Sequence, residues 1–251
     1  MMFRAKLDDI SLLRDSISTI SELIDETELT IKKGGIEMVS SDRAVVVVVD
    51  FAMSKDVFSD YVYEEDAKIG LNLLNLLQVL RRAAPNDTLE MALDSTKLEL
   101  VLKGESTRKF VMPLRDVSKN EAPDLKKLEE GFSASFMINS DILNSGIEDA
   151  ELVTDSVVFT VRKDNFAMRA ESDSTSAQLE LPSGSDSLKI VDIGEPVRAR
   201  YSLDYLKKMI KARKLASDAT IKLSSDYPMK LQFEVAGKMR LGFILAPRVE
   251  E

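Results

Sequence analysis

Apolar residues follow a helical period in four parts of the chain. Between residues 9 and 24 they recur at steps of three and four, which predicts an amphipathic helix. These residues are Ile10, Leu13, Ile17, Ile20 and Ile24. The same kind of pattern predicts helices over residues 72–84, 140–153 and 202–214.

Most of the remaining apolar segments are typical of β-strands bounded by turn residues. In the first half, strands are predicted over residues 29–32, 36–40, 45–51, 89–93 and 98–102. In the second half, they are predicted over residues 157–162, 166–171, 176–181, 220–223 and 231–235. Because strands outnumber helices and most are joined as hairpins, the fold class is predicted to be α+β with antiparallel sheets.

The two halves of the chain resemble each other when one is shifted by about 130 residues, which indicates a tandem duplication. The matching pairs are residues 30–38 and 160–168, residues 72–81 and 202–211, and residues 110–114 and 243–247. The first pair shares a hairpin turn, the second an N-cap residue before a basic helix, and the third a strand that runs into a proline.

The duplication predicts two similar domains, residues 1–114 and 132–251, joined by a connector at residues 115–131. The connector contains Pro123 and a Lys-Glu-rich patch and is predicted to be irregular. It could be a solvated linker, but its length exceeds the about 12–15 residues expected of an idle loop.

Charge is distributed unevenly among the four helices. The chain has 34 Lys and Arg against 43 Asp and Glu, a net charge of −9, which disfavours a general attraction to nucleic acid. The first helix of each half is acidic, and residues 140–151 contain no cation. The second helices are basic, with five cations against one Asp in residues 202–214. These cations either offset the helix dipoles or form a basic stripe for sequence-independent contact with duplex phosphates.

Several catalytic classes are excluded because the chain has no His and no Cys. Ser-His-Asp triads, Cys nucleophiles and Cys/His zinc sites all require these residues. No phosphate-binding loop is present, and the Ser-Asp pairs, such as Ser41-Asp42, are typical of turns. The sequence therefore predicts a protein that is not an enzyme and needs no cofactor or metal. Two early carboxylates argue against a signal peptide, so a cytoplasmic location is expected.

Six segments resemble the sliding-clamp family of archaea and eukaryotes, proliferating cell nuclear antigen, and the archaeal type in particular. They are residues 3–7 (FRAKL), 35–42, 69–73 (IGLNL), 113–117 (PLRDV), 202–206 (SLDYL) and 245–250 (LAPRVE). The resemblance implies a DNA clamp fold, with three chains closed head-to-tail into a homotrimeric ring whose inner helices face duplex DNA. It also implies a nucleoid-associated processivity factor that tethers DNA polymerase, the clamp loader, ligase and nucleases through short peptide motifs.

Three sets of residues carry these roles by resemblance. The DNA-facing set is Arg14, Arg81, Arg82, Lys207, Lys208, Lys211 and Arg213. The partner-peptide pocket is Val45, Val46, Val48, Ala122, Pro123, Pro228, Ile244, Ala246 and Pro247, with Arg248 at its rim. The subunit interface pairs Arg108, Lys109, Phe110, Val111 and Met112 of one chain with Thr175, Ala177, Leu179 and Leu181 of the next.

The chain departs from the family pattern in its first helix of the second domain, which lacks the cations often found there. A lopsided basic lining and weak, mobile DNA contact are therefore expected. Two alternatives remain open from the sequence. The chain could be one subunit of a heterotrimeric clamp, or a carboxylate- or Mg²⁺-dependent hydrolase on an unrelated α+β fold.

Overall fold

The structure is a computed structural model that describes residues 3–94, 96–117 and 124–248. In chain order the helices are α1 Ser11–Ile20, α2 Leu73–Leu80, α3 Leu125–Glu129, α4 Ser140–Glu151 and α5 Leu203–Met209. The strands of the first half are β1 Phe3–Leu7, β2 Glu26–Lys32, β3 Gly35–Ser41, β4 Val47–Ser54, β5 Asp60–Tyr63, β6 Ala67–Asn72, β7 Thr88–Leu93, β8 Lys97–Lys103 and β9 Thr107–Pro113. Those of the second half are β10 Ala134–Asn139, β11 Ser156–Val161, β12 Asn165–Glu171, β13 Ser176–Pro182, β14 Leu188–Ile193, β15 Val197–Ser202, β16 Asp218–Leu223, β17 Met229–Val235 and β18 Met239–Leu245.

The described residues divide into two compact units. Unit 1 contains those within residues 1–41, 49–121 and 234–241, and unit 2 contains those within 42–48, 122–233 and 242–251. The predicted domain boundaries at residues 114 and 131 stay a prediction.

Unit 1 contains an antiparallel sheet of order β5-β1-β7-β8-β9, in which β5 and β9 are the edges. In a second group of strands, β2 pairs with β3 and with β6. The helix α1 buries Leu13, Ile17 and Ile20, as its period predicts. It is shorter than predicted, because after Ile20 the backbone forms 3₁₀-type hydrogen bonds between residues three positions apart, such as Leu23 N to Ile20 O.

Unit 2 contains an antiparallel sheet of order β13-β12-β11-β15, with β13 and β15 at its edges. In a second group, β10 pairs with β14 and β16, and β16 pairs with β17. The helix α4 buries Leu143, Ile147 and Ala150. The helix α4 packs closely on β12 at Gly146, where a Cβ would lie 2.9 Å from Met168 Sδ.

The two halves repeat in detail at their first hairpins. Ile31 pairs with Ile36 across the β2–β3 turn, and the corresponding residues Val161 and Phe166 pair across the β11–β12 turn. The turn between β2 and β3 uses Gly35 at a φ of 141°, and a Cβ there would lie 2.0 Å from the Met53 carbonyl oxygen. Equivalent residues therefore hold equivalent registers, as the sequence repeat predicts.

Two local predictions were wrong. The strand predicted from residue 45 begins instead at Val47, because the Asp42 carboxylate accepts the backbone N–H groups of Val46 and Val47 and replaces strand pairing there. The connector is not wholly irregular, since Asp124 caps α3 by accepting from Lys126 N and Lys127 N.

Both basic helices begin after the predicted N-cap residue. The Asn72 side chain caps α2 by accepting from Asn75 N, as expected. Ser202 holds the N-cap position of α5 but makes no side-chain cap hydrogen bond. Among the described residues, no helix is both long and apolar enough to cross a membrane.

Candidate functional sites

The basic face of unit 2 lies on α5 and the 3₁₀ turn that continues it, residues Ile210–Lys214. Leu203, Leu206, Met209 and Ala212 are buried on one side of this segment. The period of the buried residues places the cations on the other side, where Lys207, Lys211 and Arg213 are exposed and Lys208 is half-buried.

The acidic helix α4 supplies partners for two of these cations. Arg213 Nη1 lies 2.7 Å from Asp141 Oδ1, and Lys207 forms an ion pair with Glu151. Lys208 instead contacts its own helix: its Nζ is 2.7 Å from Asp204 Oδ2 and 5.5 Å from the Tyr205 ring centroid. The positive charge of α5 is therefore partly compensated from within unit 2.

In unit 1, the three candidate cations have different surroundings. Arg14 Nε on α1 lies 2.9 Å from Asp15 Oδ1. Arg81 is the C-cap residue of α2, and its Nη2 donates to Ser18 Oγ of α1 over 3.4 Å. Arg82 follows it and is exposed. Positive charge in unit 1 is thus concentrated at the end of α2.

The predicted subunit-interface residues lie on two sheet edges. Among the described residues, β9 pairs in its sheet with β8 alone, and β13 pairs in its own sheet with β12 alone. Val111 of β9 is 52% exposed although it is apolar. Beside β9 is an open cleft of about 620 Å³, lined by β9 and by α2 residues that include Asn75 and Val79. Open edges of this kind can pair with another chain.

Two interface candidates have local roles. The Arg108 guanidinium is bound within unit 1, where it donates to the Arg82 carbonyl over 2.7 Å and pairs with the buried Asp87. Its backbone, rather than its side chain, is thus at the edge. Thr175 lies in the turn before β13, and its N–H donates to Ser172 Oγ. Lys109, Phe110 and Met112 lie on β9, and Ala177, Leu179 and Leu181 lie on β13.

Residues 42–48 in unit 2, a loop that continues into β4 at Val47, hold three of the predicted pocket residues. Asp42 fixes it, since its carboxylate accepts from Val46 N at 2.8 Å, Val47 N at 3.0 Å and the Tyr205 hydroxyl at 2.8 Å. Burial and the hydrogen bond to Asp42 raise the pKa of Tyr205 to about 12. The sequence interpretation missed Tyr205, because it lies on the basic helix far from the loop in sequence.

Val45 is the most unusual residue of this loop. Its φ is 55°, a left-handed conformation that a β-branched residue rarely adopts, and its side chain is 64% exposed. Strained, exposed apolar residues are concentrated at binding sites. The loop therefore holds Val45 outward at a cost in backbone energy.

The C-terminal segment runs beside this loop. Ala246 N donates to Val46 O over 2.9 Å, so two predicted pocket residues are brought together. Ala246 and Pro247 are half-buried, whereas Val48 and Ile244 are each only 5% exposed and belong to the core. Arg248 is exposed, and its guanidinium lies 2.8 Å from Asp155, which lowers the pKa of that carboxyl.

The end of the connector packs near the half-buried Pro228. The Tyr227 ring lies against Gly131, where a Cβ would be 2.4 Å away, and contacts Phe132 edge-on. Glu129 of α3 accepts from Lys222 Nζ at 2.8 Å and from Lys230 Nζ. The predicted pocket residues Ala122 and Pro123 lie outside the described residues. Sequence reasoning missed Tyr227, although a Tyr-Pro pair after a Ser-Asp turn was a usable signal.

The comparisons with known proteins cover the whole chain. Residues 2–121 match the model of the proliferating cell nuclear antigen N-terminal domain, and residues 129–248 match that of the C-terminal domain. The DNA polymerase sliding clamp of Pyrococcus furiosus is 34% identical over 236 residues, 94% of either chain. That of Methanothermobacter thermautotrophicus is 33% identical over 250 residues, 99% of either chain.

The chain belongs to the proliferating cell nuclear antigen family. The crystal structure of proliferating cell nuclear antigen from Thermococcus kodakaraensis superimposes with a TM-score of 0.89 at 25% identity, covering 98% of this chain and 100% of that one. The family resemblance and the two-domain antiparallel fold are thereby confirmed. The alternative of a hydrolase on an unrelated α+β fold is contradicted.

Proposed function

We propose that this chain is a sliding clamp: three copies close head-to-tail into a ring around duplex DNA and tether a DNA polymerase. The observation that carries the proposal is the full-length similarity to archaeal DNA polymerase sliding clamps. The role is non-catalytic and holds the protein at the DNA of the nucleoid.

The ring is supported by the two edge strands. A head-to-tail contact joins two different surfaces of the chain, and here β9 in unit 1 and β13 in unit 2 each offer one unpaired edge to another chain. In this proposal the five residues 108–112 of one chain pair with 175–181 of the next. The cleft beside β9, with exposed Val111, then receives side chains of the neighbouring chain.

DNA contact is supported by the cations at the end of α2, on α5 and on the turn that follows α5. With Arg213 and Lys207 partly compensated by α4, the contact is expected to be weak, so that the closed ring rather than affinity retains the protein on DNA. Weak phosphate contacts also suit sliding, since each tight contact would have to break at every step.

Partner binding is supported by the loop of residues 42–48 and the C-terminal segment. Val45, Val46, Ala246 and Pro247 present apolar surface beside the backbone of the C-terminal segment, a combination suited to a short peptide with apolar anchors. Polymerase, clamp loader, ligase and nuclease are the proposed sources of such peptides.

Mass in solution tests the ring directly. Light scattering is expected to give three times 28.0 kDa for the isolated chain. A stable monomer that becomes a ring only with other subunits would support the heterotrimeric alternative.

Loading onto nicked circular DNA tests the clamp: retained protein should be released when the circle is cut, and retention that survives linearisation would contradict topological linkage.

A further inference from the structure

Tyr205 of α5 joins the basic helix to the loop of residues 42–48 within unit 2. Its hydroxyl donates to Asp42 Oδ2 over 2.8 Å, although the two residues are 163 positions apart in the sequence. Asp42 is only 8% exposed, and a carboxylate so buried requires hydrogen-bond donors for its oxygens. The proposed DNA-facing and peptide-binding residues do not include Tyr205.

The hydrogen bonds of the loop converge on Asp42. Its Oδ1 accepts from Val46 N at 2.8 Å and from Val47 N at 3.0 Å. Its backbone N–H donates to Val47 O over 3.0 Å, and its carbonyl accepts from Val45 N at 3.1 Å. One carboxylate oxygen therefore binds the loop and the other binds Tyr205. Because a carboxylate is rigid and planar, rotating it breaks both sets of contacts together.

The conformation of Val45 depends on these bonds. A φ of 55° at a β-branched residue is strained, and such strain persists only where the surrounding contacts impose it. The loop also binds the C-terminal segment through Ala246 N, which donates to Val46 O. The orientation of the Asp42 carboxylate thus sets where the exposed Val45 side chain lies relative to this segment.

The helix α5 holds Tyr205 in a fixed position. Leu203 and Leu206, on either side of it in the sequence, are buried, and Lys208 Nζ lies 5.5 Å from the centroid of its ring. Burial and the hydrogen bond to Asp42 raise the pKa of the Tyr205 hydroxyl to about 12. The hydroxyl therefore keeps its proton at neutral pH and acts as a donor.

We propose that Tyr205 is a positioning residue of the partner-peptide site: its hydroxyl holds the Asp42 carboxylate so that the loop presents Val45 to the peptide. This role rests on the proposed function, since it requires a peptide that binds at Val45. Without the hydroxyl, Oδ2 loses this donor and the carboxylate turns towards water. The loop then also populates unstrained conformations, and the apparent affinity falls with the fraction of loops that remain competent to bind.

Tyr205→Phe tests this role, because it removes the hydroxyl and keeps the ring. A fluorescently labelled C-terminal peptide of an archaeal DNA polymerase is titrated with the full chain and followed by anisotropy. The variant should bind about fivefold more weakly. Tyr61→Phe is the matched control, since the half-buried Tyr61 hydroxyl donates to Lys32 O and Gly35 O in unit 1. Its peptide affinity should stay within about twofold of the native value.

A second pair of measurements separates positioning from a general loss of stability. Asp42→Asn keeps one acceptor oxygen for Val46 N and Val47 N but replaces the oxygen to which Tyr205 donates. In the Asp42→Asn background, Tyr205→Phe should change peptide affinity by less than about twofold, because the contact is already lost. Hydrogen exchange at residues 46 and 47, measured without peptide, should be faster in Tyr205→Phe and unchanged in Tyr61→Phe.

The outcomes distinguish this role from the proposed function. Native affinity in Tyr205→Phe, an equal loss in Tyr61→Phe, or the same loss with and without Asp42→Asn would each overturn the role of Tyr205 and leave the pocket in place. Unchanged exchange at residues 46 and 47 in Tyr205→Phe would overturn it as well. A native chain that does not bind the peptide would contradict the pocket itself, and the role of Tyr205 with it.

Discussion

Arg213 on the turn after α5 and Asp141 in the first turn of α4 form an ion pair of 2.7 Å between residues 72 positions apart in the sequence. Glu151 at the other end of α4 pairs with Lys207 in the same way. The acidic helix α4 has no cations of its own, and its carboxylates also reduce the positive electrostatic field of α5 and the turn that follows it. In the proposed contact, DNA phosphates must compete with two carboxylates for these cations.

Removing those carboxylates should strengthen the DNA contact. For Asp141→Asn with Glu151→Gln, we expect tighter binding to duplex DNA and a salt dependence steeper by about one to two phosphate contacts per chain. The measurement is retention on circular DNA as a function of salt. Glu148→Gln with Asp149→Asn is the matched control, since both residues are exposed on α4 and the described residues give neither an ion pair to α5. An equally steep salt dependence of DNA retention in the control variant would show that the effect comes from net charge alone.

These pairs show where the sequence is informative and where it is not. The hairpin registers follow from local turn residues such as Gly35, and the buried faces of α1 and α4 follow from their periods. Contacts between helices more than 50 residues apart have no local signature. Five-residue α3 is too short to show a period, although Asp124 at its N-cap was a local signal.

The region around Val45 was misinterpreted for a physical reason. A run of valines is typical of a buried strand, but Asp42 binds two backbone N–H groups and delays the strand by two residues. The Asp42 side chain competes with strand pairing for these backbone N–H groups, and this competition sets where β4 begins. The Tyr205 hydroxyl also donates to the same carboxylate and helps to hold it in place. Such a tertiary hydrogen bond cannot be inferred from the run itself.

The open edge of β9 gives a test of assembly. Val111→Asp should shift the mass in solution from trimer towards monomer, because a carboxylate at the paired edge would be desolvated without a partner. Val62→Asp is the control: Val62 is 41% exposed on β5, the opposite edge of the same sheet. A trimer that is equally stable in Val111→Asp would place the subunit interface elsewhere.

The ion pairs of Glu129 should make the docking of α3 depend on pH. Burial opposes ionisation of this carboxyl, but Lys222 and Lys230 lower its pKa overall. A lowered pKa in the folded state means that the stabilisation is complete above the unfolded pKa of about 4.3 and is lost as pH falls through the lower folded value.

Hydrogen exchange of residues 125–131 measures this docking. At neutral pH, Glu129→Gln should increase exchange there, consistent with a loss of about 1 kcal/mol, whereas Glu130→Gln, an exposed neighbour, should change it little. In the native chain, exchange corrected for intrinsic rate should rise as the pH falls below about 4. No difference between the two variants would show that α3 is held by apolar contacts alone.

The strain at Val45 predicts opposite effects of one substitution on stability and on binding. Val45→Gly removes a β-branched side chain from a φ of 55°, so the free energy of unfolding should rise by about 1 kcal/mol. The same change deletes an apolar side chain that is 64% exposed, so affinity for an apolar polymerase-tail peptide should fall.

Val39→Gly is the control, since Val39 is 42% exposed within β3 and has no positive φ. Its free energy of unfolding should fall by about 1 kcal/mol, and its peptide affinity should be unchanged. Denaturant unfolding and peptide titration measure the two quantities separately. A destabilised Val45→Gly would mean that contacts of this side chain outweigh its backbone strain, and unchanged affinity would remove Val45 from the pocket.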